Sequence, residues 1–510
     1  MKRIANKIFS RLTMGALMIL LQFGWIVFLI YSAMPQSTAI NVGFQVLAVA
    51  LALYVANKDI RTSYKMSWIF LILFLPVFGC LAYFLFGKSG LTKRTKKRYE
   101  KYMETVRVLR EENTDVEQEL EREDFYACQQ AHYLLEYAGY PLYPETDSRY
   151  YSSGEAAFPD LLADLESAEK YIFMEYFIVE EGQMFDAIVS ILQKKAEEGL
   201  DVRLIYDDVG SIQTLPPHYE RVLEKKGIKC VSFNPFRPVL SVVMNHRDHR
   251  KITVVDGKVA YTGGFNLADE YINVKEKYGY WKDAGLRLTG EAVWSFVTMF
   301  LEMWGCMTGK EEDDYEVYRF KTPPAPVTKA FIQPYADSPL DNEYVGENVY
   351  LNLLNHAKKY VYIFSPYLII GSEVRTALIN AAKCGVDVRI VVPGIADKKL
   401  VYLLTQANFA QLIKGGVRIY KYTPGFIHSK CFVVDDFYAT VGTINLDYRS
   451  LFLHFECGVS MYNTKTVMQV KEDTLETFEK SHEVTLDECQ SRLLFVRMFM
   501  GALKLFAPLL

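Results

Sequence analysis

Strand-like and helix-like stretches alternate along this chain in one order, and the order is run through twice. The first pass reads "AEKYIFMEYFIVEEG", a helical stretch, "GLDVRLIYDDVGS", a connection and "HRKITVVD". The second reads "AKKYVYIFSPYLIIG", a helical stretch, "GVDVRIVVPGIAD", a connection and "HSKCFVVD". The apolar, β-branched and aromatic runs predict strands bounded by charged or turn residues. Gly199 and Gly385 are placed to close the two helices. Alternation of this kind predicts helices packed on a mostly parallel sheet, once per pass. The repeats lie too far apart for a solenoid and are the size of whole domains. Two α/β domains in a pseudo-two-fold arrangement, with a site at their seam, follow. The charged, proline-containing stretch around residues 307–327 marks the expected boundary.

The N-terminal pattern is different, because its apolar runs carry no alternation. Residues 14–34 and 66–86 are uncharged and each long enough to cross a bilayer; residues 39–56 form a shorter third run. The reading is a membrane region over 1–87 with two or three transmembrane helices. A charged linker helix follows over 88–124, then the two domains over 125–315 and 316–510. The basic run from Lys88 to Arg98 adjoins the catalytic part and argues for a cytoplasmic placement. It is equally a stop-transfer flank or a contact for anionic headgroups. The apolar C-terminal stretch 492–510 is open to two readings: an amphipathic helix on the membrane surface, or a helix packed on the second domain.

The chemistry lies where the two passes end. His249, Lys251 and Asp256 are followed by Gly263, Gly264 and Asn266; His428, Lys430 and Asp435 are followed by Gly442, Thr443 and Asn445. A chance His-x-Lys-x4-Asp match is expected roughly 0.02 times in a chain with this few histidines, so two matches are no accident. Within a strand, His and Lys at i and i+2 share a face, and the Asp at the strand end has opposite parity and serves to orient or brace. Each copy is then a half-site for a phosphate. Lysine neutralises the oxyanion, the Asn266 or Asn445 amide donates a hydrogen bond, and the histidine is left for chemistry. Two half-sites face to face supply a nucleophile and a general acid–base around one phosphorus. No cofactor is required. Nor is a metal expected, since the eight cysteines form no Cys-x2-Cys pair and the second copy lacks a His-x2-His.

This duplicated motif resembles the signature of the phospholipase D superfamily over roughly residues 130–510. The resemblance implies phosphodiester exchange through a phosphohistidine. It also implies that Asp283 in "YWKDAGLRLTG" and Glu456 in "LHFECGVSM" are the acidic partners that orient the histidines. "FLPVFGCLAYFLFG", "FNPF", "SPY" at Ser365–Tyr367 and "YTPGFIHSK" are similar to the bacterial cardiolipin synthase family. For that family the implied reaction joins two phosphatidylglycerol molecules into cardiolipin and glycerol at the cell membrane, in a multi-pass protein. A membrane-bound phospholipase D, or a phosphatidyltransferase using another alcohol or water, fits the same residues. Phosphatidylglycerol and other anionic lipids are the expected partners. A net charge of −4 argues against nucleic acid.

Overall fold

A tight hairpin forms the end of each motif strand. Lys251–Val255 turns through Asp256 and Gly257, at φ 53° and 65°, into Val259–Gly263. Cys431–Val434 turns through Asp435 and Asp436, at φ 54° and 63°, into Tyr438–Gly442. Turns with two left-handed central residues match the twist of antiparallel strands, and Asp and Gly tolerate that region best.

The computed structural model describes residues 35–87, 93–110, 114–145, 147–235, 246–321, 329–341 and 343–509. They fall into two compact units. One holds the described parts of Met1–Thr92, Phe236–His246 and Arg497–Leu510; the other holds those of Lys93–Pro235 and Arg247–Val496.

The larger unit contains two sheets built on one plan. The first runs Asp147–Tyr151, Gly285–Thr289, Val259–Gly263, Lys251–Val255, Tyr171–Tyr176, Asp201–Asp207, Lys229–Phe233. The second runs Phe331–Asp337, His454–Tyr462, Tyr438–Gly442, Cys431–Val434, Tyr360–Phe364, Asp387–Pro393, Arg418–Tyr422, with Tyr143–Pro144 and Ser481–Glu483 added at its edges. The helices between the first two strands of each repeat end at Gly199 and Gly385, both at φ 95°.

The sheets are not mostly parallel as the alternation predicts. Along the two strand orders just given, and among the described residues, only the strands linked through helices, Tyr171–Tyr176 to Lys229–Phe233 and Tyr360–Phe364 to Arg418–Tyr422, pair in parallel. The motif strands and their hairpin partners are antiparallel, because a turn that short cannot join parallel strands.

The expected domain limits are also crossed. Tyr143–Pro144 pairs with Phe331–Ile332 of the second sheet, and Gln333 donates to the carbonyl of Ala131 at 3.0 Å. In the other direction, Tyr318 accepts a hydrogen bond from Arg203 of the first sheet at 2.6 Å. Nor do the described residues of 88–124 form only a charged linker. Lys93–Arg107 buries Tyr99, Tyr102 and Val106, a stripe at helical spacing, and Arg110 pairs with Glu302 at 3.3 Å in the interior.

In the smaller unit, helices Pro35–Ala56, Thr62–Phe74 and Pro76–Phe86 pack around Leu51, Val55, Trp68, Ile72 and Tyr83. The uninterrupted span expected over 66–86 is two helices. Pro76 supplies no N–H and pushes Leu75 out of the helical region, to ψ 74°. Side chains of the first helix are described from Val42 onward, and among the described residues no helix is long and apolar enough to cross a membrane. The expected span 14–34 lies outside the described residues. The C-terminal helix Leu494–Phe506 packs on these helices: Ser67 Oγ donates to the carbonyl of Leu505 at 2.6 Å and Phe506 meets Phe70.

Candidate active site

Two short parallel pairings connect the halves and carry the site. Arg247–Asp248, leading into His249, pairs with His454–Phe455, leading into Glu456. Gly425–Ile427, leading into His428, pairs with Tyr280–Lys282, leading into Asp283. The N–H of His249 donates to the carbonyl of Phe455 at 2.9 Å, and that of His428 to the carbonyl of Lys282 at 2.7 Å. Each histidine is therefore set beside the acid of the other half. His249 Nδ1 lies 2.9 Å from Glu456 and His428 Nδ1 lies 2.7 Å from Asp283. A hydrogen bond through Nδ1 leaves Nε2 of both rings for the substrate.

The lysines join them. Lys251 Nζ donates to the carbonyl of His249 at 2.6 Å, and Lys430 Nζ to that of His428. All four side chains are buried. Both histidines stand just before the motif strands, which begin at Lys251 and Cys431, rather than within them.

Burial and crowded positive charge set the protonation of this cluster. Burial, then Lys251 and His454, push His249 well below the usual histidine range. Burial and Lys430 bring His428 down to about 4, against the pull of Asp283. Burial lowers Lys251 to about 8 and Lys430 to about 7. The acids diverge. Burial works to raise Asp283, yet His428, Lys430 and the N–H of Ala284 hold it below the carboxylate range. Burial drives Glu456 well above that range despite Lys251 and a hydrogen bond from Thr443. Such a site is starved of negative charge and is completed by an anion.

The turn residues explain themselves at this distance. A Cβ on Gly264 would meet Asp283 Oδ1 at 1.9 Å, and one on Gly442 would meet the carbonyl of Cys457 at 2.4 Å. Thr443 occupies the place of Gly264 in the second copy and donates its hydroxyl to Glu456. Asn266 accepts from the N–H of Ile178 at 3.0 Å and donates to Tyr271 Oη at 2.6 Å. Asn445 Oδ1 is buried with no hydrogen-bond partner among the described residues.

Asp256 and Asp435, the motif aspartates expected to orient or brace, are not at the imidazoles. Asp256 accepts from the backbone N–H groups of Glu169, Lys170 and Tyr171 at 2.8–2.9 Å. Asp435 accepts from Lys358, Lys359 and Tyr360 at 2.6–2.9 Å. Both brace the far end of their strand, fixing its register against the neighbouring antiparallel strand.

Sequence reasoning missed the residues two places before each histidine and acid, which flank the imidazoles. On the side of His428 these are Phe426 and Trp281, with ring centroids 5.9 and 5.4 Å from the imidazole. On the side of His249 the ring of His454 lies 5.5 Å away, while Arg247, at the other i−2 position, pairs with Asp207 at 3.2 Å. Their signal was present: the i−2 positions of the same short strands share a face with the residues already singled out. His249, His454 and Glu456 have ligating atoms within 4.8 Å of one another, but Lys251 and Lys430 beside them favour an anion over a cation.

Comparison with known proteins agrees with this geometry. A family model described as "Cardiolipin synthase, PLD-like domain" matches residues 161–283 and 350–477, and one described as "Phospholipase_D-nuclease N-terminal" matches 46–88. The chain is 33% identical over 467 residues to a cardiolipin synthase of Geobacillus kaustophilus, covering 90% of this chain and 91% of that one. It is 42% identical to an uncharacterized protein of Streptococcus mutans over 90% of this chain and 99% of that one. A phosphatidylserine synthase from Haemophilus influenzae shares the fold, with a TM-score of 0.59 at 15% identity over 75% of this chain and all of that chain.

Proposed function

The chain belongs to the cardiolipin synthase family of phospholipase D-like proteins, and we propose that it transfers a phosphatidyl group from one phosphatidylglycerol to another, releasing glycerol. The crosswise pairing of His249 with Glu456 and His428 with Asp283 carries this reading. It places two imidazoles with free Nε2 atoms, and two lysines, around one anion-seeking space.

His249 is the nucleophile in this account and His428 the general acid and base. His428, brought down to about 4, is neutral before substrate arrives; the bound phosphate together with Asp283, held anionic, then favours its imidazolium, as proton handling requires, while Glu456, pushed toward its neutral form, leaves His249 uncharged and able to attack. In the first step the His249 Nε2–P bond forms, the P–O bond to glycerol breaks, and His428 gives its proton to the departing oxygen. In the second, the acceptor hydroxyl gives its proton to His428, the new O–P bond forms and the N–P bond breaks. Lys251, Lys430, Asn266 and Asn445 bind the phosphoryl oxygens. One phosphodiester replaces another, so no energy-rich donor is consumed.

The membrane is the place of work. The exposed faces of the smaller unit and the C-terminal helix carry Val46, Leu53, Phe74, Phe84, Phe495 and Met498, more apolar surface than a water-facing patch usually bears. The proposed arrangement has this apolar surface, with the N-terminal runs, in the bilayer of the cell membrane as a multi-pass anchor, and the catalytic unit on the cytoplasmic face beside the basic residues Lys96, Lys97 and Arg98.

Purified protein given phosphatidylglycerol vesicles in chelator tests the reading. Cardiolipin and glycerol in equal amounts are expected. Phosphatidic acid as the sole lipid product would overturn it in favour of a phospholipase D.

A further inference from the structure

The two halves of the site follow one plan, yet His428 is flanked by three aromatic side chains where His249 has one. Strand position 281 corresponds to 454, each two residues before its acid; position 426 corresponds to 247, each two before its histidine. At the first pair of corresponding places stand Trp281 and His454, and at the second Phe426 and Arg247. His249 thus works beside His454 and a single ring, Phe177, at 4.9 Å, while Arg247 turns to Asp207 at 3.2 Å. His428 works against a wall of rings: Trp281 packs on Phe426 at 4.7 Å and on Tyr271 at 4.8 Å, and Tyr271 lies 5.5 Å from the imidazole.

The wall is rigidly held. Asn273 pins the backbone of Trp281 from both sides, donating to its carbonyl at 2.9 Å and accepting from its N–H at 2.7 Å. Tyr271 is fixed by Asn266. The indole is 7% exposed, and its Nε1–H has no hydrogen-bond partner among the described residues. A buried donor left without a partner costs about 1–3 kcal/mol, so its retention calls for a ligand that satisfies it.

We propose that Trp281 is a specificity-determining residue that makes the acceptor an alcohol rather than water, its indole N–H binding an oxygen of the acceptor's glycerol headgroup and its ring, with Phe426, denying water a stable place at His428. This deepens the proposed function and rests on it. A water poised at His428 Nε2 needs two or more further polar partners to stay ordered, and the rings supply almost none. A glycerol headgroup is held by the rest of its own lipid, presents carbon to the rings, and offers an oxygen to the one unused donor. The competing reactions differ only in the oxygen that attacks. In transfer a lipid hydroxyl forms the new O–P bond and yields its proton to His428; in hydrolysis water does both and phosphatidic acid leaves.

The test is the ratio of cardiolipin to phosphatidic acid made from phosphatidylglycerol vesicles by the wild type and by Trp281→Phe, Trp281→His and Trp281→Ala. Trp281→Phe keeps the ring and loses the donor: KM for phosphatidylglycerol in transfer rises about tenfold, the worth of one hydrogen bond, with little added hydrolysis. Trp281→His, which copies the polar residue of the other half, and Trp281→Ala raise the share of phosphatidic acid several-fold. An unchanged product ratio in both, or an unchanged KM in Trp281→Phe, overturns the proposal. Should Ala and His variants fail to fold by thermal melting, Trp281→Phe decides alone. Wild-type protein that makes only phosphatidic acid sinks the proposed function itself, and that outcome is read before any variant is made.

Discussion

His249 directs its Nδ1–H not to the acid of its own half but to Glu456, 207 residues further along the chain, at 2.9 Å. Neither half is complete without the other. Both variants preserve shape: Asp283→Asn removes the charge that supports the imidazolium of His428, and Glu456→Gln can turn an amide N–H toward His249 Nδ1 and lose the tautomer that leaves Nε2 free. Each lowers kcat by about 10²–10⁴, with little change in KM. Steady-state kinetics with phosphatidylglycerol check this, and wild-type kcat in either variant would contradict the crosswise arrangement.

Asp256 and Asp435 belong to stability rather than chemistry. Replacing either with Ala strands three backbone N–H groups, at a cost of about 1–3 kcal/mol or more. Urea unfolding shows a lower midpoint, while product ratio and the binding of a phosphate analogue below the transition stay close to wild type.

Anion binding weakens as pH rises. Lys430 and Lys251, brought down to about 7 and about 8, are charged below pH 7 and lose their protons between pH 7 and 9. Titration calorimetry with tungstate or inorganic phosphate finds affinity falling across that window. Unfolding does not explain the fall. Between the lowered pKa values and the usual 10.5 the unfolded chain binds more protons, so these lysines make the fold more stable with rising pH.

Arg250 is the residue between the two catalytic positions of the first motif, and it is buried. Its Nε lies 2.7 Å from Glu175 and 3.4 Å from Asp248. Arg250→Met leaves both carboxylates without their cation and destabilises the larger unit by about 3–5 kcal/mol, measured by chemical denaturation. Exposed apolar residues of the C-terminal helix act elsewhere: Phe495→Glu with Met498→Glu weakens vesicle sedimentation at least tenfold, as the loss of two buried apolar side chains requires.

Much of this was legible in the chain. Repetition of "HRKITVVD" as "HSKCFVVD" identified the half-sites, and Gly199 and Gly385 the helix ends. Pairing between halves was not legible, since parallel contacts such as Trp281 with Phe426 join residues 145 apart that share no local pattern. The mixed sheet went unread because apolar strand runs look alike whether their partners are parallel or antiparallel; only the turn at Asp256–Gly257 told them apart. Residues 66–86 read as one span because hydropathy ignores Pro76.

Rapid quenching of the protein with phosphatidylglycerol, followed by mass-spectrometric mapping of the covalent adduct, addresses the two-histidine account most directly. The account predicts an acid-labile phosphatidyl group on His249 that chases into cardiolipin when more phosphatidylglycerol is added. An adduct on His428 would reverse the assigned roles, and full turnover with no adduct on either histidine would contradict the double displacement.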